Sequence, residues 1–437
     1  MRYNRIFLAL GVTSLVLVAG NSYATNGYAM HGIGTKSKGM AGSGSALAQD
    51  ALVMGINPSA IVQSGNRVDL GAALFSPLRE YSVSGAPSGQ PGTIPLATRT
   101  TESDSNIFLI PNAAYVKQID EHSSWGIAAF GNGGMNTDYP DFENTNFCPP
   151  PPNSSATGPF CGGTAGINLS QLFITPTYAR KISGINASWG VSLVGVVQSF
   201  EAEGIGAFGQ QSSNGAKLSN NGVDYSTGLG VRLSATAELT HGLSAAASVQ
   251  PKIQMSEFSD YKGLFANGGN FDIPENWNLG IAWNTSDRST LTFDVQYIKF
   301  SGVDSVGNSI TQLTSNGNLF GSDNGPGFGW ENMTVYKLGY QWNKMNLPEW
   351  TWRLGVSHAN QPVPDEEVTL NILAPAVVTT HLSAGFTKAM GQSNELSLAF
   401  THALSESVKG SNAFDNTQQV EIEMKQLEVE LTYAWKF

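Results

Sequence analysis

The last eleven residues, LEVELTYAWKF, alternate without interruption. Leu427, Val429, Leu431, Tyr433, Trp435 and Phe437 take one parity, and Glu428, Glu430, Thr432, Ala434 and Lys436 take the other. Successive side chains of a strand point to opposite faces, so this stretch reads as a strand with one greasy and one polar side. A soluble sandwich strand reads the same way in isolation, and the constraint comes from repetition. Leu229, Val231, Leu233, Ala235, Ala237 and Leu239 form a second stripe, and Trp277, Leu279, Ile281 and Trp283 a third. Leu291 to Tyr297, Trp350 to Val356, Leu382 to Phe386 and Leu396 to Phe400 continue the series, with aromatic residues at many stripe ends.

Composition decides whether those faces meet a core or lipid. Only 13% of the residues are charged, against roughly a quarter in soluble proteins, and glycine reaches 49 residues. No later run of about twenty apolar residues exists, so helical spans are excluded. Short turns are expected at 120–123, 240–242, 285–288 and 391–394. Long loops are expected near 79–104, 132–169, 201–224, 256–273, 301–331, 360–378 and 405–423. The expected fold is all-β, a transmembrane antiparallel barrel of about 14 strands with both chain ends in the periplasm. Residues 67–437 form its wall.

The N-terminus fits this compartment. Arg2 and Arg5 precede the apolar run Ile6 to Ala19, and Ser22-Tyr23-Ala24 supplies a small-x-small cleavage site. Residues 1–24 are expected to be a signal peptide, leaving Thr25 first. Its removal takes two arginines and no acid, moving the charge from −11 to −13. Such an acidic chain is a poor nucleic-acid binder. Cys148 and Cys161, with five prolines between them, four of them consecutive, are expected to form a disulfide that staples a surface loop.

Residues 25–66 lack strand alternation. They are rich in glycine and alanine, yet Leu47, Leu52, Val53, Met54, Ile56 and Ile61 offer more apolar surface than a disordered tail carries. A plug inside the barrel suits them, because irregular backbone is tolerated at membrane depth where protein surrounds it. Asn57-Pro58 would make a rigid elbow in such a plug, and on spacing alone an ordinary turn explains it equally well. No hydrolase, zincin, Walker or EF-hand motif is present. Gly204, Gly206 and Gly209 satisfy G-x-G-x-x-G without opening a helix, and the six histidines show no ligand spacing. No catalytic residues, metal or cofactor are expected.

The stretch NGYAMHGIGTKSKGMAGSGSALAQDALVMGINPSAI resembles the N-terminal hatch of the FadL/TodX family of outer-membrane transporters for hydrophobic compounds. The resemblance rests on the glycine-rich lead, Asp50-Ala51 and an Asn-Pro-Ala motif, here Asn57-Pro58-Ser59 with serine in the third place. Segments 272–283, 291–303 and 352–364 are also similar. The resemblance implies a 14-stranded monomer, plugged by its hatch, that passes long-chain fatty acids or, in one branch, aromatic hydrocarbons. It also implies a kinked third strand with a lateral opening to the membrane. Here that strand is 123–140, with Gly131, Gly133 and Gly134 where the alternation breaks; a strand ending in a glycine-rich loop is the other reading. Phe130 and Met135 would flank the opening, and Met54 and Ile56 would lie near ligand. Phe147, Phe160, Phe208, Phe258 and Phe265 are candidates for first capture beyond the lipopolysaccharide. Ending on an aromatic residue, Phe437, resembles barrels whose last strand is read by the insertion machinery. The expected function is uptake of hydrophobic molecules, long-chain fatty acids first, by ligand-gated passive diffusion. Hydrocarbon uptake and a structural or adhesive barrel are the alternatives.

Overall fold

A computed structural model describes residues 25–144, 148 and 157–437; the expected signal peptide and Phe147 lie outside the described residues. Fourteen long strands make the wall: β1 (Arg67–Ser84), β2 (Phe108–Gln118), β3 (Ser123–Tyr139), β4 (Ala165–Ile182), β5 (Ala187–Glu203), β6 (Asp224–Thr240), β7 (Leu243–Gln250), β8 (Asn276–Ser286), β9 (Ser289–Ile298), β10 (Met333–Lys344), β11 (Leu347–Ala359), β12 (Thr380–Met390), β13 (Asn394–Asn412) and β14 (Asp415–Lys436). Each pairs antiparallel with its chain neighbour. β14 pairs with β1 from Gln419↔Ser84 to Lys436↔Arg67, so the sheet closes on itself.

The alternation resolves into an inverted pattern. Leu427, Val429, Leu431 and Trp435 of β14 are 42–47% exposed, while Glu428 and Glu430 between them are buried. Apolar groups outside and charge inside are what a barrel wall in lipid requires. No described helix is long and apolar enough to cross a membrane.

Short turns close one end of the barrel and longer connections the other. Besides the expected turns, 183–186 and 345–346 also join strands. The second carries Met345-Asn346 and no glycine or proline, so its sequence gives little turn signal. The expected loop at 405–423 is instead hairpin: β13 runs to Asn412 and β14 starts at Asp415. Ladder pairing persists there through Ser407↔Glu423 and Lys409↔Glu421. Both faces carry polar groups in this stretch, so the greasy stripe disappears while the backbone stays paired. The expected loops at 79–104 and 132–169 are shortened likewise, since β1 reaches Ser84 and β3 reaches Tyr139.

Residues 25–64 lie inside the ring. Thr25 N donates to Gln426 of β14, Ala51 N to Asp69 of β1, and Asn57 Nδ2 to Thr236 of β6. Short 3₁₀ turns, Ala51–Gly55 and Pro58–Gln63, bury Leu52, Met54 and Ile61 against Val116, Phe130 and Phe173 of the wall. A second, larger apolar core fills the long-loop end.

Candidate functional site

The wall is not continuous. β2 pairs with β3 from Gln118↔Ser124 only as far as Asn112↔Phe130. Pro111, next along β2, has no N–H to donate. Beyond that point β4 is the wall strand that β3 pairs with, through a register shift between Gly131 and Gly133 that leaves Asn132 bulged. β2 meanwhile stays with β1 up to Phe75↔Phe108. The two strands therefore part over their outer halves, and the N-terminal segment occupies the parting. Ala29 pairs with Gly133, and Gly134 N donates to the Tyr28 carbonyl at 3.0 Å. A Cβ on Gly133 would sit 2.1 Å from that carbonyl oxygen, so the approach requires glycine. Met30 packs beside it against Phe75, Phe108 and Ile110.

Charge fixes the segment from below. Lys38 Nζ lies 2.5 Å from Glu428 and 2.6 Å from Glu430, all buried. Lys36 and Arg67 share Glu395 at 2.5 Å, and Arg67 also meets Asp69 at 2.8 Å. Burial pulls the Lys36 ammonium down to about 8, Arg67 adding to the effect. Burial also pushes the Asp50 carboxyl up to about 6, with Asp69 beside it acting the same way. Across the lumen, Asp294 of β9 accepts from Ser43 Oγ at 2.8 Å, Gly44 N at 2.6 Å, Ser45 N at 3.1 Å and the Ser45 hydroxyl. The Ser-Gly-Ser run can wrap the carboxylate because it places two backbone amides and two hydroxyls together.

Asn57-Pro58-Ser59 ties the segment to the opposite wall. Asn57 Nδ2 donates to the Ser45 carbonyl and to Thr236 Oγ1, both at 2.8 Å. Ser59 Oγ donates to Asn57 Oδ1 at 2.6 Å and lies 2.8 Å from Thr236 Oγ1. The departure from alanine thus adds a hydroxyl to the joint. Gly190 of β5 gives the elbow room, since a Cβ there would come within 2.4 Å of Ser59 N.

Three cavities lie along the lumen. The outermost, about 50 Å³, is lined by Phe160, Phe200, Phe208, Phe265, Phe320 and Phe328 and, among the described residues, by no charged side chain. A second, about 30 Å³, opens beside the parted strands between Phe75, Arg79, Gly134, Met135, Trp330 and Met424. Phe328 and Leu373 line the first and Trp330 and Ala374 the second, with the Phe328 and Trp330 rings 6.1 Å apart between centroids. The third, also about 30 Å³, is polar and lined by Ile56, Asn132, Arg232 and Lys337 among others.

The sequence-derived candidates divide accordingly. Gly134 and Met135 line the cavity at the parting, Ile56 lines the polar cavity, and Phe160, Phe208 and Phe265 line the outermost. Met54 and Phe130 line none of them and sit in packed core, as Phe258 does against Phe200 and Phe265. Cys148 and Cys161 are bonded, 5.4 Å apart at Cα. Tyr28 was not among the candidates, and its ring contacts Phe271, Phe300 and Trp330 at 5.3–5.9 Å. Arg79 and Asp294 were also missed; each is a charge on an inward parity, the one signal the sequence carried for them.

A search of curated protein sequences finds no match. The crystal structure of the Pseudomonas putida toluene transporter TodX matches 93% of this chain and 99% of its own, at 17% identity and a TM-score of 0.64. A Pseudomonas aeruginosa FadL homologue matches 94% and 100%, at 14% identity and 0.66. The Ralstonia pickettii toluene transporter TbuX matches 93% and 99%, at 17% identity and 0.62. These likenesses establish the fold. The family model described as outer membrane protein transport protein (OMPP1/FadL/TodX) matches residues 178–435, more than half the chain. This chain belongs to that family, whose members are passive transporters of hydrophobic compounds in the outer membrane and not enzymes.

Proposed function

We propose that the barrel imports long-chain hydrophobic molecules, fatty acids foremost, by ligand-gated diffusion. Residues 25–66 are its plug, and the parting of β2 from β3 is its exit into the membrane. The observation that carries this reading is the pairing of Tyr28 and Ala29 with Gly133 and Gly134 across the parting. A strip joined to the wall by so few bonds can yield without breaking the barrel. The apolar outer cavity and the mixed one beside the parting suit a chain-like molecule, which can leave one as it enters the next. Each methylene moved from water gains about 0.8 kcal/mol, so capture needs no energy source.

In this reading the short-turn end faces the periplasm, carrying both ends of the mature chain. The long loops reach past the lipopolysaccharide, and Met135 and Gly134 border the exit. Asn57, Pro58 and Ser59 act as a fixed elbow about which the rest of the plug moves, and Met54 and Ile56 move with ligand. The barrel works as a monomer, delivered by insertion machinery that reads the strand ending at Phe437.

A crosslink tests the plug. Ser43 Oγ lies 2.6 Å from Thr292 Oγ1 of β9, so Ser43→Cys with Thr292→Cys places two thiols within bonding range. Labelled oleate and toluene are offered to cells lacking their own importer. Oxidised double mutant is expected to take up at least about tenfold less than after dithiothreitol, given covalent closure. Equal uptake before and after reduction, with the crosslink formed, would show that the segment need not move.

A further inference from the structure

Most of the buried cations have a carboxylate to answer them. Lys36, Lys38 and Arg67 meet theirs in ion pairs. The charge of Asp138 reaches Arg79, those of Asp50 and Glu395 reach Arg353, and that of Asp294 reaches Lys337. Among the described residues, no carboxylate reaches Arg232 of β6. That side chain is 7% exposed, and its Nη2 donates to Gln250 Oε1 at 2.7 Å, a neutral acceptor. Keeping a guanidinium out of water with no counter-charge is costly, and buried charges are ordinarily paired.

Arg232 is joined by Lys337 of β10 at the polar cavity, which the interior segment closes on its other side. Lys337 Nζ donates to the His31 carbonyl at 2.8 Å. Among the described residues neither cation takes part in an ion pair. Asp294, the carboxylate whose charge reaches Lys337, already accepts from Ser43, Gly44 and Ser45. The wall adds groups with protons to give, among them the bulged Asn132, Ser248 and Asn278, and the segment adds Met30, Gly32 and Ile33. Among the described residues no carboxylate lines the cavity. Its volume of about 30 Å³ admits a body the size of water or slightly larger. Two cations, amide and hydroxyl donors, no acid and little room are complementary to a single-atom anion.

We infer that a small inorganic anion of the chloride class is bound between Arg232 and Lys337, and that it fastens residues 29–33 of the interior segment to the wall. The assignment is independent of which molecule the barrel carries. With the anion in place, the wall opposite Met30 and Ile33 is close to neutral. Without it, two like charges share a confined cavity against apolar side chains, and each weakens the segment's seat.

Crystals of the purified protein soaked in sodium bromide report the position directly, since bromide has the charge of chloride, nearly its size, and an anomalous signal. A peak bordered by Arg232 and Lys337 is expected in the wild type and none there in Arg232→Gln. In solution, chloride replaces gluconate at constant ionic strength while proteolysis within residues 25–40 is followed. Chloride is expected to slow cleavage of the wild type. Arg232→Gln is expected to need about tenfold more chloride for the same protection, the loss of one charge-assisted contact. Arg232→Lys, which keeps the charge, is expected to recover most of it. Heat-modifiable gel mobility reports whether each variant is folded. Absence of bromide from the cavity would overturn the site, and equal protection by chloride and gluconate would overturn its hold on the segment. An unchanged chloride dependence in folded Arg232→Gln would overturn the assignment to these residues. Displacement of the bromide by oleate would overturn it too, by making the cavity part of the path of the cargo.

Discussion

The Gly133 Cα faces the Ala29 Cα across an antiparallel pair, and this contact joins the interior segment to the strand that has left its neighbour. Replacing Gly133 by valine would put side-chain carbon into the Tyr28 carbonyl. Gly133→Val is expected to expel Tyr28 and Ala29 and leave the parting open. Sensitivity to a hydrophobic antibiotic should rise several-fold while the barrel still shows folded gel mobility. Unaltered sensitivity would mean that something else seals the wall.

Asp294 holds the interior segment by four donors from three consecutive residues. Asp294→Ala leaves Ser43, Gly44 and Ser45 facing a void. A loss of about 2–4 kcal/mol in the hold on the interior segment is expected, since hydrogen bonds to a charged acceptor are the strong ones. Limited proteolysis should cut within residues 40–50 at lower urea than in the wild type, with the barrel fragment intact.

Lys38 between Glu428 and Glu430 gives a sharper contrast. Lys38→Met strands two buried carboxylates and is expected to cost about 3–5 kcal/mol. Adding Glu428→Gln and Glu430→Gln should recover most of it. The temperature at which the folded band disappears from a gel separates the cases: a triple variant no better than the single would deny that charge pairing is the issue.

The raised Asp50 carboxyl makes a pH prediction. Its folded pKa, about 6, exceeds the unfolded value, so folding favours the protonated form. The penalty for burying its charge is present above about pH 6 and is relieved as pH falls through it. The wild-type interior segment should therefore resist proteolysis better at pH 5 than at pH 7.5, relative to Asp50→Asn, which should lack this part of the dependence. Parallel pH profiles in the two proteins would contradict the assignment.

The barrel was legible in the sequence because lipid enforces a strict rule: Leu427 to Phe437 must alternate wherever the wall meets hydrocarbon. Where the wall rises clear of it, as at Lys409 and Glu421, both faces are polar, and pairing continues without leaving a pattern. The interior segment could be recognised as something other than wall, since its apolar residues follow no strand period. Its attachments could not. Lys38 meets Glu428 across 390 positions of chain, and Ser43 meets Asp294 across 251. Such contacts come from curvature and closure, which no local spacing encodes.

The seam between the first and last strands has a consequence for biogenesis. β14 must zip to β1 along eighteen residue pairs to finish the cylinder. Lys38 is gripped by two glutamates of β14, and Lys36 shares Glu395 of neighbouring β13 with Arg67 at the start of β1. A chain that closed the seam first would have to thread forty residues into a finished tube and strip water from those charges afterwards. Seating the interior segment before the cylinder is sealed avoids that penalty, because the cations of residues 36–38 then meet their glutamates while the ends of the wall are still apart.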